Sequence, residues 1–392
     1  MTALLAARLD RLLARRAVAL ALLAVAVFAI DAGYLADREA RWDERVWLEA
    51  GELLARGESP YGHRLYNYPP PLVELAVAAA RGGWTRELVV ALRAANLAGV
   101  VAIAALAASC APWPPRTRFL AALAAALSPI VGHALAFGNF SPLVAAAALA
   151  ALALERRRPL LSALLLGAGV AFKPLALGAG LFLASHRLVA GPRRPRPWAA
   201  LAWPAATAAL LVPGAALLPA MLAREAPAYF DRHHLSLARA LAGLGFPVPP
   251  AAVAIAVVGG ALWLFRRRAL GPREMVLAAP VVGLLALPIV WAHTLVFTLP
   301  LQLAAVGRLG ERTAASRLSA GALDRRGALE IVAVALALAA IHGSAAAGVI
   351  NDWPDPVQVF VSLLPTLAPA GLLAYFLLAG SPAPVRAGSA GA

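Results

Sequence analysis

The feature that most constrains this chain is an alternation of long apolar stretches with short clusters of arginine. The first stretch, residues 17–35, follows Arg8, Arg11, Arg15 and Arg16. Eleven more run at about 86–109, 119–136, 142–154, 159–172, 174–190, 198–218, 249–265, 275–290, 295–307, 328–347 and 359–380. Threading them alternately puts Arg116 and Arg118, the triplet 156–158, and the arginines of 187–196, 266–273 and 308–326 on one side. That is the asymmetry by which cytoplasmic loops are recognised. The composition agrees: 61% hydrophobic and 14% charged residues, against roughly 45–50% and about 25% in globular chains, with mean hydropathy +0.76. This excludes an ordinary soluble enzyme, a disordered chain and a nucleic-acid binder, because the net charge of +15 resides in those separated clusters and not in one continuous patch.

The expected fold is therefore an all-α polytopic membrane protein, residues 1–392 forming a single integral-membrane domain of about 12 transmembrane helices with both termini cytoplasmic. The basic opening also suits a signal peptide, but no small-x-small cleavage site followed by a soluble domain is present, so 17–35 is read as an uncleaved helix. Several stretches hold about 13 residues where a crossing needs about 20, so some helices are expected to break near the outer surface. A cytoplasmic loop at 307–327 and a cytoplasmic tail at 381–392 complete the inner side. Two outer loops are expected, at 36–82 and 219–248. The halves of the chain are unlike and show no repeat, which argues mildly against an inverted-repeat transporter. Cys110 is the sole cysteine, so neither a disulfide framework nor a multi-cysteine metal site is available. No phosphate-binding Gly-Lys loop, G-x-S-x-G or H-E-x-x-H pattern occurs.

Acidic residues concentrate in the first outer loop. Eight of the 20 fall between residues 31 and 58. There Val46, Trp47, Ala50, Leu53 and Leu54 recur at helical spacing, opposite Arg45, Glu49, Glu52 and Arg56, which form two i,i+4 pairs. A helix capped by Asp43 and stopped by Gly57 is predicted, about 20 Å long, lying in the outer interface on its apolar face. Tyr61, Tyr66 and Tyr68 suit the headgroup region, and a second interfacial helix is predicted at about 71–81.

The elements Asp43-x-x-Val46-Trp47, Leu53-Leu54-x-x-Gly57-x-x-Pro60-Tyr61 and Tyr68-Pro69-Pro70 resemble the opening of glycosyltransferase family 87. That family comprises polyprenyl-phosphate-mannose-dependent mannosyltransferases within the GT-C superfamily. Gly138-Asn139, Lys173-Pro174 and Trp291-Ala292-His293 are similar to later landmarks of the same family, in the same order. Asn139 stands where the family commonly has glutamine, and Thr294 follows His293 where a second polar aromatic or histidine is common. The resemblance covers about residues 17 to 310 and is most specific in the first loop. It implies a GT-C-type fold and a bacterial inner-membrane enzyme. Such an enzyme moves a sugar, mannose by preference, from a polyprenyl-phosphate donor to a lipid or glycan acceptor on the outer face.

Such a transfer needs one base for the acceptor hydroxyl and a cationic cradle for the phosphate, which is already a competent leaving group. The resemblance implies Asp43 as the base, with Asp37 and Glu44 as rivals and helix capping as the plainer role for Asp43. Lys173 is the only lysine and is flanked by apolar runs. A lysine at mid-membrane costs about 2.5–3.5 kcal/mol on insertion scales, so it is either snorkelling or contacting the donor phosphate. His293 is a second candidate for the phosphate or a sugar hydroxyl, or else an interfacial anchor. Arg93 and Asn96, one turn apart, read as helix–helix glue or, for Arg93, as facing the cavity. Tyr68 and Asn139 join the donor- or acceptor-binding candidates. Arg224, Glu225, Asp231, Arg232, His233 and His234 of the second outer loop are read as shaping the acceptor groove, since adjacent histidines diverge on a helix. No metal site and no cofactor are expected, the lipid-linked sugar being a substrate; metal dependence stays open. The rival readings are a secondary transporter or lipid flippase, and a non-catalytic scaffold of the same fold.

Overall fold

The structure is a computed structural model, which describes residues 10–63, 65–189, 202–222, 236–243, 245–265, 270–287, 290, 292–320, 325–346 and 355–378. Every regular element among them is a helix. The chain opens with α1 (Arg16–Ile30) and α2 (Ala32–Ala36), followed by α3 (Trp42–Ala55) and α4 (Pro70–Gly82) of the first loop. Next come α5 (Thr85–Ser109), α6 (Pro115–Ala126), α7 (Pro129–Ala136), α8 (Ser141–Leu154), α9 (Pro159–Phe172) and α10 (Leu177–Val189). The remainder comprises α11 (Ala202–Leu211), α12 (Leu218–Leu222), α13 (Leu237–Gly243), α14 (Pro250–Phe265), α15 (Pro272–Ala286), α16 (Leu299–Ala320), α17 (Arg325–Ala346) and α18 (Asp355–Leu378). Six of these helices begin on a proline, at 70, 115, 129, 159, 250 and 272. Proline suits that position because its fixed φ is helical and the missing N–H would have had no helical partner.

By length and composition, α5 can cross a membrane, with 25 residues and a mean hydropathy of 2.0. Two bent pairs, α6 with α7 (40°) and α11 with the segment 215–221 (89°), raise the number to three if each is one span. The expected 119–136 stretch thus breaks at Ser128, where Pro129 has no N–H to continue the ladder. Several other apolar helices hold 10–17 residues. The segment 307–327, expected as a loop, is helical to Ala320 and again from Arg325. The tail 381–392, Trp291 and the six charged residues 224, 225 and 231–234 of the second outer loop lie outside the described residues.

The main core gathers around α5, which packs against α1, α6, α8 and α16. Gly99 permits the closest of these approaches: a Cβ there would stand 2.8 Å from Leu143 Cα on α8. A smaller core sits over the start of α5. In it Val46, Trp47 and Ala50 of α3 meet Leu72, Val73 and Ala76 of α4, together with Tyr61, Tyr66, Tyr68 and Phe140. The tyrosines expected among headgroups are buried here instead. Pro69 to Pro71 can donate no backbone hydrogen bond, and the carbonyls beside them accept from the rings: Tyr61 OH donates to Tyr68 O and Tyr66 OH to Pro69 O, each at 3.1 Å. Likewise the apolar face of α3, expected to lie in the interface, is covered by α4. The expected pairs on α3 are also rearranged, Glu49 meeting His63 and Arg56 meeting Glu58.

The two ends of the bundle carry opposite character. Helix α8 starts beside the first loop and ends at Glu155, which pairs with Arg187 at 2.8 Å. At that same end Arg156 donates to Leu270 O at 2.7 Å, Arg273 to Cys110 O, and Arg308 to Phe376 O. Around the flanks large apolar side chains are exposed, among them Val25, Ile255, Trp263 and Leu336.

Candidate functional site

Asp43 is held by a turn built on glycine. Helix α7 ends at Phe137, and Gly138 follows with φ +68°. Asn139 N donates to Ala134 O at 2.8 Å and Gly138 N to Leu135 O at 3.0 Å, the paired bonds of a left-handed helix stop. The stop leaves Phe137 O free to accept from Asp43 N at 2.9 Å. It also lets α3 approach closely, since a Cβ on Gly138 would lie 2.9 Å from the Glu44 side chain. Helix α3 starts at Trp42, so Asp43 lies in its first turn and does not cap it. That reach is made by Glu44, whose Oε2 accepts from Arg41 N at 2.8 Å.

Four of the expected residues converge. Asp43 Oδ2 accepts from Asn139 Nδ2 and, at 3.3 Å, from Tyr68 OH. Asn139 Oδ1 in turn accepts from Ser141 N at 2.9 Å, Ser141 Oγ at 2.7 Å and Lys173 Nζ at 2.8 Å. Three donors on that oxygen fix the amide's orientation, so its NH2 faces Asp43. Lys173 follows the end of α9 in extended backbone, with Nζ 5.1 Å from the Tyr68 ring centre. The ammonium and the carboxylate are thus bridged by one amide and make no direct ion pair. Among the described residues Asp43 Oδ1 accepts no hydrogen bond, and the residue as a whole is half-buried. Burial pushes the Asp43 carboxyl above the ordinary carboxylate range, with the Lys173 charge and the Asn139 and Tyr68 hydrogen bonds pulling it back. Burial first, and then the Asp43 charge, push the Tyr68 hydroxyl well up, so it remains a donor.

The rivals are otherwise engaged. Glu44 is 1% exposed and faces Arg93, 0% exposed, through bonds of 2.8 and 2.6 Å. Arg93 also donates to the carbonyls of Tyr34, Asp37 and Glu39 at 2.6–3.0 Å. With five hydrogen bonds made, its fork is fully used: Arg93 is a buried strut from α5 to the first loop with no donor left over. Asp37 pairs with Arg41 at 3.4 Å, at the surface. Asn96, one turn beyond Arg93, donates to Asn139 O at 3.0 Å and accepts from Leu143 N at 3.1 Å, tying α5 to the start of α8.

His293 lies in a 3-10 segment, Ala292–Thr298, ahead of α16 and not at the outer end of a regular helix. It is buried, with its ring 5.8 Å from that of His133. The sequence reading did not single out His133. Its only signal is a lone histidine in an apolar stretch, one turn before Gly138-Asn139. Ser141 was missed as well, though a serine two residues after an asparagine is a common local partner for it.

Comparison with protein-family models, with curated proteins and with solved structures finds no match to this chain.

Proposed function

We propose that this chain is an integral-membrane glycosyltransferase of the GT-C type. In this reading it moves a sugar, mannose by the resemblance to family 87, from a polyprenyl-phosphate donor to an acceptor hydroxyl. The observation that carries the reading is the state of Asp43. One carboxylate oxygen is held by two donors, the other accepts no hydrogen bond among the described residues, and a lysine sits one amide away. A carboxylate raised above its ordinary range is a stronger proton acceptor, provided that it is ionised at the working pH. Asp43 takes the acceptor proton as the hydroxyl attacks the anomeric carbon from the side opposite the phosphate. The C–O bond to phosphate breaks in the same displacement, inverting the anomeric centre. Lys173, with His293, offsets the charge that grows on the departing phosphate.

The membrane placement rests on the exposed apolar flanks, on α5, and on the separation of the acidic first loop from the arginines at the far end of α8. With those arginines cytoplasmic, the Asp43 cleft opens on the outer face of a bacterial inner membrane. About 12 crossings follow if the shorter helices span as tilted or broken segments. A transporter would instead place ionisable groups in matched broken helices of both halves.

The test is transfer from radiolabelled polyprenyl-phosphate mannose to extracted host lipids and glycans in purified membranes, wild type beside Asp43→Asn. Wild type is expected to transfer, and the variant to be slower by about 10²–10⁴-fold at equal protein level. Equal rates would remove Asp43 from the chemistry. No transfer by wild type would overturn the donor assignment.

A further inference from the structure

We propose that His133 is a binding residue that forms, with His293 and Lys173, a bracket for a phosphate group carried on a lipid. This rests on the reading of the Asp43 cleft as one that receives a phosphate-linked lipid, and it adds a residue that the family resemblance does not supply.

The polar side chains at the cleft form a closed circuit. Asp43 is anchored to Phe137 O; His133 lies one turn back on α7, its ring stacked on Phe137 at 4.6 Å and 23°. Across from it stands His293, 5.8 Å away. His293 is in electrostatic reach of Lys173, and Lys173 returns through Asn139 to Asp43. Only one member of this circuit is an anion. Two imidazoles and an ammonium gathered this closely repel one another whenever a histidine is charged, and an anion placed among them relieves that repulsion. The depth is graded in the matching sense. Lys173, Asn139 and His293 are buried, whereas Asp43 and His133 keep partial access and Phe137 is exposed. His133, on the exposed side of this gradient, is more accessible than Lys173.

A purely structural ring on Phe137 would be served by phenylalanine or leucine. Histidine carries a cost there: its Nδ1 is enclosed without a hydrogen-bond partner among the described residues, and an unpaired buried polar atom is expensive. The other ring nitrogen, Nε2, makes no hydrogen bond among the described residues and is not enclosed, so it is the one open to a phosphate oxygen, which accepts from neutral imidazole N–H and more strongly from imidazolium.

The experiment is binding of a long-chain polyprenyl monophosphate to the purified full chain in detergent, with the same polyprenol as uncharged control and inorganic phosphate as soluble control. His133→Phe keeps the ring and its stack, His133→Leu is a second deletion, and His133→Gln retains an N–H donor. Both deletions are expected to weaken polyprenyl-phosphate binding by about tenfold or more, the yield of one charge-assisted hydrogen bond. Polyprenol binding and the melting temperature without ligand should not change, and His133→Gln should recover part of the loss. Inorganic phosphate binding equally well, with the same dependence on His133, would uphold the bracket and make a free anion its ligand. Deletions that bind polyprenyl phosphate like wild type overturn the proposal, as does a wild type that prefers it no more than polyprenol. The transfer assay separates this from the enzymatic reading. His133-dependent binding without transfer keeps the bracket and removes the enzyme, and transfer with His133-independent binding does the reverse.

Discussion

At the scale of the residue, the role proposed for Asp43 and the stability of the fold make opposing demands. The folded-state pKa of Asp43 is raised above the ordinary 3.8, chiefly by burial. A carboxylate so shifted favours folding most when protonated; the contribution is full below the unfolded value and is lost as pH rises through the folded one. At neutral pH the ionised Asp43 carboxylate is therefore a net cost to the fold. Asp43→Asn, permanently neutral and still able to accept from Asn139 and Tyr68, is expected to melt higher than wild type at pH 7 while losing transfer. The gap in melting temperature should narrow as pH approaches 4, which thermal unfolding followed by tryptophan fluorescence would show. A lower melting temperature for the variant at pH 7 would mean that the attraction of the Lys173 charge and the hydrogen bonds to Asp43 outweigh burial. Such an exchange of stability for function is common at active sites.

At the scale of the element, the first loop owes its shape to the buried Glu44–Arg93 pair. Arg93→Met is expected to cost about 3–5 kcal/mol, because it strands the Glu44 charge in a dry site. Adding Glu44→Gln removes that charge and should recover much of the loss, as melting temperatures of the single and double variants would report. Additive losses would indicate that the carbonyl bonds of Arg93, and not its charge, hold the loop. The sequence reveals some of this and hides the rest for a physical reason. Helical spacing and the turn residues Gly57 and Pro70 locate α3 and α4 to within a residue or so, since those signals are local. The partners of Glu44 and Asp43 are not local: Arg93 is 49 residues from Glu44, and Asn139 is 96 residues from Asp43. Periodicity carries no information about such pairs. Asn139 is reached only through the resemblance, Lys173 also as the sole lysine between apolar runs, whereas His133, belonging to no quoted motif, comes from packing alone. The capping reading of Asp43 failed because Arg41, not Asp43, sits at the start of the helix and Glu44 makes the reach back.

At the scale of the whole molecule, the arrangement makes a topological claim. Helix α8 runs about 21 Å for its 14 residues, from the Asn139 turn to the Glu155–Arg187 pair. Asp43 and the described arginines Arg156, Arg187, Arg273 and Arg308 thus lie at opposite ends of the bundle. If arginine marks the cytoplasmic side, Glu52 on the exposed face of α3 is outside and Arg157 inside, both solvent-exposed. The chain lends itself to the test because its single cysteine, Cys110, is 4% exposed and replaceable by alanine. In that background Glu52→Cys is expected to react with a membrane-impermeant maleimide in intact spheroplasts, and Arg157→Cys only after lysis. The reverse pattern would turn the molecule over and place the cleft in the cytoplasm, where an outer-leaflet donor could not reach it. Labelling of both in intact spheroplasts would mean that α5 and α8 do not separate two compartments. The exposed apolar flanks would then need a protein partner, not lipid, to cover them.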